Sequence, residues 1–150
     1  MRVAAVLVML ALSACLSGRG QERWPADAGA VVVKASPHSV EATLDRLSER
    51  ALAQGAVIRA RLSGAAQPGA MSQTLIFSLA ELEAPIVAAA PVAGVDLPIR
   101  ALAFEQEGVV YLAYPAPSAI ARRAGVMADA GEVARLSATL NALTDAAVAP

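Results

Sequence analysis

The chain offers few side chains for catalysis or metal binding. It contains one cysteine, Cys15, and one histidine, His38. Zinc sites made of Cys and His take several such ligands, so a single copy of the chain cannot build one. A Ser-His-Asp triad would have to use His38, and the sequence shows no carboxylate placed to orient its ring. Because the sequence also lacks calcium loops and glycine-rich phosphate loops, we predict no metal and no cofactor.

Two arginines are the best candidates for a binding surface. Arg59 and Arg61 alternate with apolar residues in the run Ala56 to Leu62. Side chains alternate between the two faces of a strand, so the pattern predicts a half-buried strand with both guanidinium groups on its exposed side. That side would bind an anion or a partner, and a plain solvated strand face is the alternative.

A second candidate pair is Asp96 and Arg100. Asp96 precedes an apolar strand, and it either transfers a proton or closes a turn by accepting hydrogen bonds from nearby amides. Arg100 either binds a carboxylate or phosphate through its planar guanidinium or forms a structural ion pair with Asp96 or a glutamate. If both act in chemistry, the protein is a small hydrolytic or isomerising enzyme. Haem binding through His38 or a tyrosine is a further alternative.

The first fifteen residues carry a targeting pattern. Arg2 precedes the apolar run Val3 to Leu12, which ends at Ser13-Ala14-Cys15. The pattern resembles a bacterial lipoprotein signal, and this resemblance implies cleavage after Ala14 and acylation of Cys15. The run is too short to be a membrane span, which needs roughly 20 apolar residues.

An ordinary secretory signal is the alternative, but it would leave an unpaired thiol at Cys15 in an oxidising compartment. Leu16 stands where an aspartate would mark retention at the inner membrane, so we expect a lipid anchor in the outer membrane that faces the periplasm. We therefore divide the chain into a signal peptide (1–14), a flexible tether (15–29) and a single domain (30–150).

Charge and composition limit the partners and the core. The chain has 12 basic and 13 acidic side chains, so no basic excess points to nucleic acid. Hydrophobic residues make up 57% of the chain but aromatic residues only 3%. We therefore expect a core built from Ala, Val, Leu and Ile.

Two helices are predicted from apolar residues at helical spacing. Ser39 is placed to cap the first of them, and Gly55 is placed to end it. Its apolar stripe is Val40, Leu44, Leu47 and Ala51. Asp129 begins a capping box before the terminal helix, whose stripe is Val133, Leu136, Leu140 and Leu143.

The remaining elements are strands, turns and two shorter helices. We predict strands at 30–35, 56–62 and 73–79, a loop at 63–69, a helix after Pro85 and a short helix from Ser118 to Arg123. Apolar runs at 99–104 and 109–114 around a polar turn predict a hairpin. The order of elements predicts an α+β fold, a two-layer sandwich in which helices cover one face of a mostly antiparallel sheet.

Three segments resemble one family. The run from Ala88 to Leu102, with its Asp-Leu-Pro, is similar to the family catalogued as domain of unknown function 302, as are the opening helix at 39–47 and the strand and turn at 108–117. The resemblance implies a compact α+β domain that pairs as a homodimer, and it implies no established activity. The family's Ile-Asp-His is replaced here by Leu62-Ser63-Gly64, and its Gly-Asn-Pro turn by Ser78-Leu79-Ala80.

The leading prediction is a non-enzymatic lipoprotein of the cell envelope. It would form a homodimer, or bind a small anionic ligand or an envelope protein, through the sheet face that carries Arg59 and Arg61. Its contact with the membrane would run through the lipid on Cys15.

Overall fold

The computed structural model describes residues 29–67, 70–127 and 131–150, which alternate between strands and helices. The predicted signal, and the tether except for Gly29, lie outside the described residues. The strands are β1 (Val31–Ser36), β2 (Val57–Gln67), β3 (Ala70–Ser78), β4 (Ile99–Gln106) and β5 (Val109–Pro115). The helices are α1 (Val40–Ala53), α2 (Ala80–Ala89), α3 (Pro117–Ala124) and α4 (Gly131–Val148), with a short 3₁₀ helix at Pro91–Val95.

The five strands form one antiparallel sheet in the order β1-β5-β4-β3-β2. Helices α1 and α4 pack against each other and against the sheet, and α2 and α3 pack against α4. The helices therefore form a second layer on one side of the sheet. The predicted two-layer α+β sandwich is confirmed.

The first helix begins and ends where its sequence predicts. The Ser39 hydroxyl accepts a hydrogen bond from the Ala42 amide at 3.1 Å, which satisfies a free N–H of the first turn. Gly55 ends the helix with a left-handed backbone (φ +78°), a conformation that glycine adopts without steric cost. The apolar stripe predicted for this helix is buried. Between Ser39 and Gly55, α1 packs on the sheet.

The core lies between the helix layer and the sheet. Leu44 and Leu47 of α1, Leu136 and Leu140 of α4, and Phe77 of β3 are fully buried there. The stripe predicted for the terminal helix is buried as well, whereas its capping-box residue Asp129 lies outside the described residues. As expected from the composition, small aliphatic side chains make up most of this core.

The loop predicted at 63–69 is wrong, because β2 continues to Gln67 and β3 resumes at Ala70. The two strands form a long hairpin whose ladder includes the pair Gly64 and Ser72. The Ser72 hydroxyl donates to the Gly64 carbonyl oxygen at 2.9 Å. A Cβ at position 64 would lie 2.9 Å from that hydroxyl oxygen, so a larger residue there would have to displace the Ser72 side chain. Cross-strand pairing outweighs the low strand propensity of this segment.

The helix predicted after Pro85 begins earlier, at Ala80. The cause is Glu83, whose carboxylate accepts hydrogen bonds from the Leu79 amide at 3.1 Å and from the Ser78 hydroxyl at 2.9 Å. These contacts stabilise the start of α2 in place of a capping side chain before it. Pro85 therefore lies inside the helix rather than at its first turn.

The predicted β4–β5 hairpin is confirmed. Glu107 (φ +53°) and Gly108 (φ +77°) form its two-residue turn, and both have left-handed backbones. Turns of this kind match the twist of the two strands they join. The predicted short helix is present as α3, and Gly125 (φ +74°) ends it.

We expect two leucines of α1 to differ sharply in their effect on stability. Leu47 is fully buried and Leu52 is 54% exposed. Leu47→Ala should lower the free energy of unfolding by about 2–5 kcal/mol because it leaves a cavity in the core. Leu52→Ala should change it by no more than about 0.5 kcal/mol. Chemical denaturation followed by circular dichroism measures both, and equal losses would contradict the packing of α1.

Candidate functional site: the open face of the sheet

The prediction that Arg59 and Arg61 share one exposed face of β2 is wrong. A β-bulge interrupts the pairing of β2 with β3, so Ile58 pairs with Phe77, Ala60 pairs with Ile76, and Arg59 is the extra residue between them. A bulge shifts the alternation of side chains by one position. Arg61 consequently shares the helix-covered side with its partner Leu75, while Ala60 and Leu62 take the opposite side.

Arg61 connects β2 to α1. Its guanidinium forms an ion pair with Asp45 and donates to the Glu41 carbonyl oxygen at 3.1 Å, and its Nε donates to the Gln73 side chain at 2.8 Å. Arg59 is exposed and makes no hydrogen bond or ion pair within the described residues. The two predicted binding residues therefore act separately, and Arg61 already has its partners.

Asp96 and Arg100 also have separate positions. Asp96 pairs with Arg123 of α3 at 3.0 Å, which joins α3 to the turn before β4. Arg100 lies on the side of the sheet without helices, where it is exposed and has no ion-pair partner in the described part of the chain. The predicted structural pair between Asp96 and Arg100 is wrong. Arg100 is therefore not placed to assist Asp96 in transferring a proton.

His38 lies beside the end of α4. Its Nε2 is 2.7 Å from the Ala149 carbonyl oxygen, which also accepts a hydrogen bond from Arg46 at 2.9 Å. Arg46 donates to the Ala147 carbonyl at 3.0 Å as well. Carbonyl groups in the last turn of a helix have no partner within the helix, so His38 and Arg46 act as its carboxyl-terminal cap.

A polar cluster joins β1 and β5 to α4. Lys34 donates to the Thr144 hydroxyl and to the Asp145 carboxylate, each at 2.7 Å, and its ammonium lies 5.9 Å from the centre of the Tyr114 ring. The Tyr114 hydroxyl donates to the Asn141 side chain at 2.8 Å. Lysine and tyrosine side chains can each transfer a proton, but here each bonds to α4. The arrangement fixes the helix to the edge of the sheet.

The two tyrosines of β5 point to opposite sides, as their spacing predicts. Tyr114 lies under α4, whereas Tyr111 stacks on Phe104 of β4 with the ring centres 5.6 Å apart. This second pair lies on the side of the sheet that no helix covers.

We call that uncovered side the open face. Residues directly opposite each other in neighbouring strands share a face of the sheet. The strand register therefore shows which residues lie on the open face. They are Val31, Val33 and Ala35 of β1, Tyr111 and Ala113 of β5, Arg100, Leu102 and Phe104 of β4, Ser72, Thr74 and Ile76 of β3, and Ala60, Leu62 and Gly64 of β2. Arg100 is the one charged side chain among these residues.

Large apolar side chains of the open face are in contact with solvent. Leu62 is 53% exposed, Val31 43% and Leu102 37%. Monomeric proteins rarely expose a large contiguous apolar surface unless it binds something. The open face is therefore the candidate functional site of the described residues.

The sequence carried a signal for this face. The runs Val31-Val32-Val33 and Ile99 to Phe104 are apolar at odd and even positions alike, apart from Arg100. A strand that is apolar on both sides is typical of a sheet covered on both faces. The predicted site residues Arg59 and Arg61 are not among the residues that the register assigns to the open face.

Two further features of residues 29–67, 70–127 and 131–150 bear on function. No group of His, Cys, Asp and Glu side chains there could hold a metal ion. In the same residues, no helix has the length and apolar character to cross a membrane.

The fold and the open face together define a two-layer α+β protein with one bare side of its sheet. The model of the family described as Domain of unknown function DUF302 matches residues 32–146. The chain belongs to this family, which confirms the resemblance found in its sequence. No curated protein matches it.

A solved structure shows the same fold. The crystal structure of an uncharacterized conserved protein DUF302 from Bacillus stearothermophilus is similar to this chain with a TM-score of 0.69 and 15% sequence identity. The match covers 78% of this chain and 97% of that one. At this level of identity, the likeness concerns the fold.

The polar cluster around Lys34 should be important for stability. Lys34→Met removes the ammonium but keeps an unbranched side chain, and it leaves the buried Thr144 hydroxyl with fewer partners. The free energy of unfolding should fall by about 1–3 kcal/mol. Arg50→Met is the matched control, because Arg50 is exposed and unpaired in the described structure, and it should cost no more than about 0.5 kcal/mol. Urea denaturation measures both, and equal costs would contradict a structural role for Lys34.

Proposed function

We propose that this protein is a lipid-anchored protein of the bacterial cell envelope whose domain is non-catalytic and pairs with a second copy through the open face. The exposed apolar side chains of that face are the observation that carries the proposal. Water contact with Leu62 and Leu102 costs free energy that a second apolar sheet would recover, at about 25 cal/mol per Å² buried.

The size of the open face suits a dimer. Neighbouring strands lie about 4.8 Å apart and rise about 3.3 Å per residue, so five strands of about six residues cover roughly 500 Å². Two copies would together bury about 1,000 Å² by this projection, which is the lower bound for a specific interface. Two sheets packed face to face, about 10 Å apart, form a common protein architecture.

The charge of the open face is compatible with such packing. Arg100 is the second residue of β4, so it lies near the end of the sheet rather than at its centre. A long arginine stem can lie along apolar surface while its guanidinium remains in water. The centre of the face carries Leu102, Ala113 and Thr74, which form the central row of the register.

The rest of the structure favours a binding role over catalysis. The side chains best suited to chemistry already have structural partners: Asp96 binds Arg123, His38 binds the end of α4, and Lys34 binds Thr144 and Asp145. The lipid anchor rests on the pattern that ends at Cys15. It would hold all copies at one membrane surface, and this raises their local concentration and favours pairing.

A charge at the centre of the open face should separate the copies. Leu102→Arg brings like charges together across the interface, which costs several kcal/mol, so the Kd of the dimer should rise by about 100-fold or more. Leu52→Arg is the matched control, because Leu52 is also an exposed leucine but lies on α1, away from the open face. Native mass spectrometry of the full chain released from detergent should give a dimer for the wild type and for Leu52→Arg, and a monomer for Leu102→Arg.

Circular dichroism should show the same fold for all three proteins. A wild-type monomer at micromolar concentration would contradict the proposal. A monomer that retains a small molecule, or a different protein, would assign the open face to that ligand or partner instead.

A further inference from the structure

The proposed anchor enters the domain at one end of the sheet, which we call the proximal end. Val31 begins β1 and pairs with Pro115 at the end of β5, and the register continues to Ile99 at the start of β4. The described chain begins two residues before Val31. Even fully extended, the residues between Cys15 and Gly29 would reach no more than about 50 Å. The proximal end is therefore the end of the sheet that is closest to Cys15 along the chain.

An apolar ridge projects at the proximal end. Val92 and Val95 lie in the 3₁₀ helix before β4, and they are 59% and 70% exposed. Side chains three residues apart in a 3₁₀ helix lie one above the other, so the two valines form one ridge. Ala93, on the other side of the same segment, is buried and holds the ridge on the core.

Positive charge lies next to this ridge. The ion pair between Asp96 and Arg123 joins the 3₁₀ helix to α3. Arg122, the neighbour of Arg123, is exposed and has no ion-pair partner among the residues the structure describes. Arg59 and Arg100 lie near the starts of β2 and β4, at the same end of the sheet. Neither has an ion-pair partner within the described residues.

Carboxylates do not cancel this charge. At the proximal end Asp96 is paired with Arg123, and Glu132 at the start of α4 is paired with Arg135. Glu81 in the first turn of α2 and Glu49 near the end of α1 are exposed carboxylates there, and Glu49 is adjacent to the exposed Arg50. The opposite end carries Glu105 and Glu107 in and beside the β4–β5 turn. Charge is therefore distributed unequally along the strands.

We propose that the proximal end docks on an anionic lipid surface, with Val92 and Val95 in the headgroup region and Arg122, Arg59 and Arg100 beside the lipid phosphates. Exposed apolar side chains next to basic ones are typical of a segment that binds at a membrane interface. Arginines near an anionic bilayer are attracted over about a Debye length. This inference rests on the lipid anchor of the proposed function, and it leaves most of the open face free for a second copy.

Environment-sensitive fluorescence of the full, acylated chain tests the docking. Acylation of Cys15 leaves no other thiol in the chain, so Val95→Cys can carry a single fluorophore. In vesicles of phosphatidylcholine with phosphatidylglycerol, its emission should shift to the blue and gain several-fold in intensity over vesicles of phosphatidylcholine alone. A fluorophore at Val92→Cys should behave in the same way, and one at Glu105→Cys should not respond.

Arg122→Glu, combined with Val95→Cys, should remove most of the response to the anionic lipid, and so should high salt. An unshifted emission at positions 92 and 95, or an equal response in neutral vesicles, would overturn the inference. Mass spectrometry of the same sample reports whether Cys15 is acylated. An acylated, vesicle-bound chain with unshifted probes would remove the docking alone, whereas an unacylated chain that washes off the vesicles would remove the anchor as well.

Discussion

The packing of the helix layer on one side only of a five-stranded sheet determines the rest of this structure. Leu44 and Leu47 of α1 and Leu136 and Leu140 of α4 exclude water from that side. The strands carry exposed apolar side chains on the other side too, among them Leu62 and Leu102. These side chains, which no helix of the described chain covers, are the reason for which we propose the open face as a binding surface.

Side chains that could perform chemistry are used to hold the helix layer in place. Lys34 and Tyr114 attach α4 to the sheet, Arg46 and His38 cap its last turn, and Arg61 connects β2 to α1. Each of these contacts satisfies a charge or a carbonyl group that would otherwise lose hydrogen bonds on folding. The same contacts explain why the polar residues do not meet in one cleft.

Local patterns in the sequence predicted the elements whose boundaries are set by local physics. Ser39 and Gly55 bound α1, and the β4–β5 turn follows from Gly108, because caps and tight turns depend on a few neighbouring residues. The family resemblance is most specific around Asp96-Leu97-Pro98, which lies within the matched residues 32–146. The predicted boundaries differ from the structure where a tertiary pairing or an unusual cap decides. Pairing with β3 extends β2 through the small residues after Leu62. Glu83 starts α2 by accepting hydrogen bonds from Ser78 and Leu79 in place of an ordinary capping side chain before the helix.

The candidate site shows the same limit. A single extra residue at Arg59 reverses the side on which Arg61 lies, and strand alternation gives no warning of a bulge. The partner of Asp96 could not be found from the sequence either, because Arg123 is 27 positions away. What the sequence did contain was apolar character on both sides of β1 and β4, and this property, rather than any arginine, marks the open face.

Hydroxyl-radical footprinting of the full chain over a range of protein concentrations tests the role of the open face most directly. Oxidation of Leu62 and Leu102 should fall as the concentration rises, because a second copy covers both residues, while oxidation of Leu52 on α1 stays constant. Oxidation of all three leucines that is independent of concentration would contradict pairing through this face.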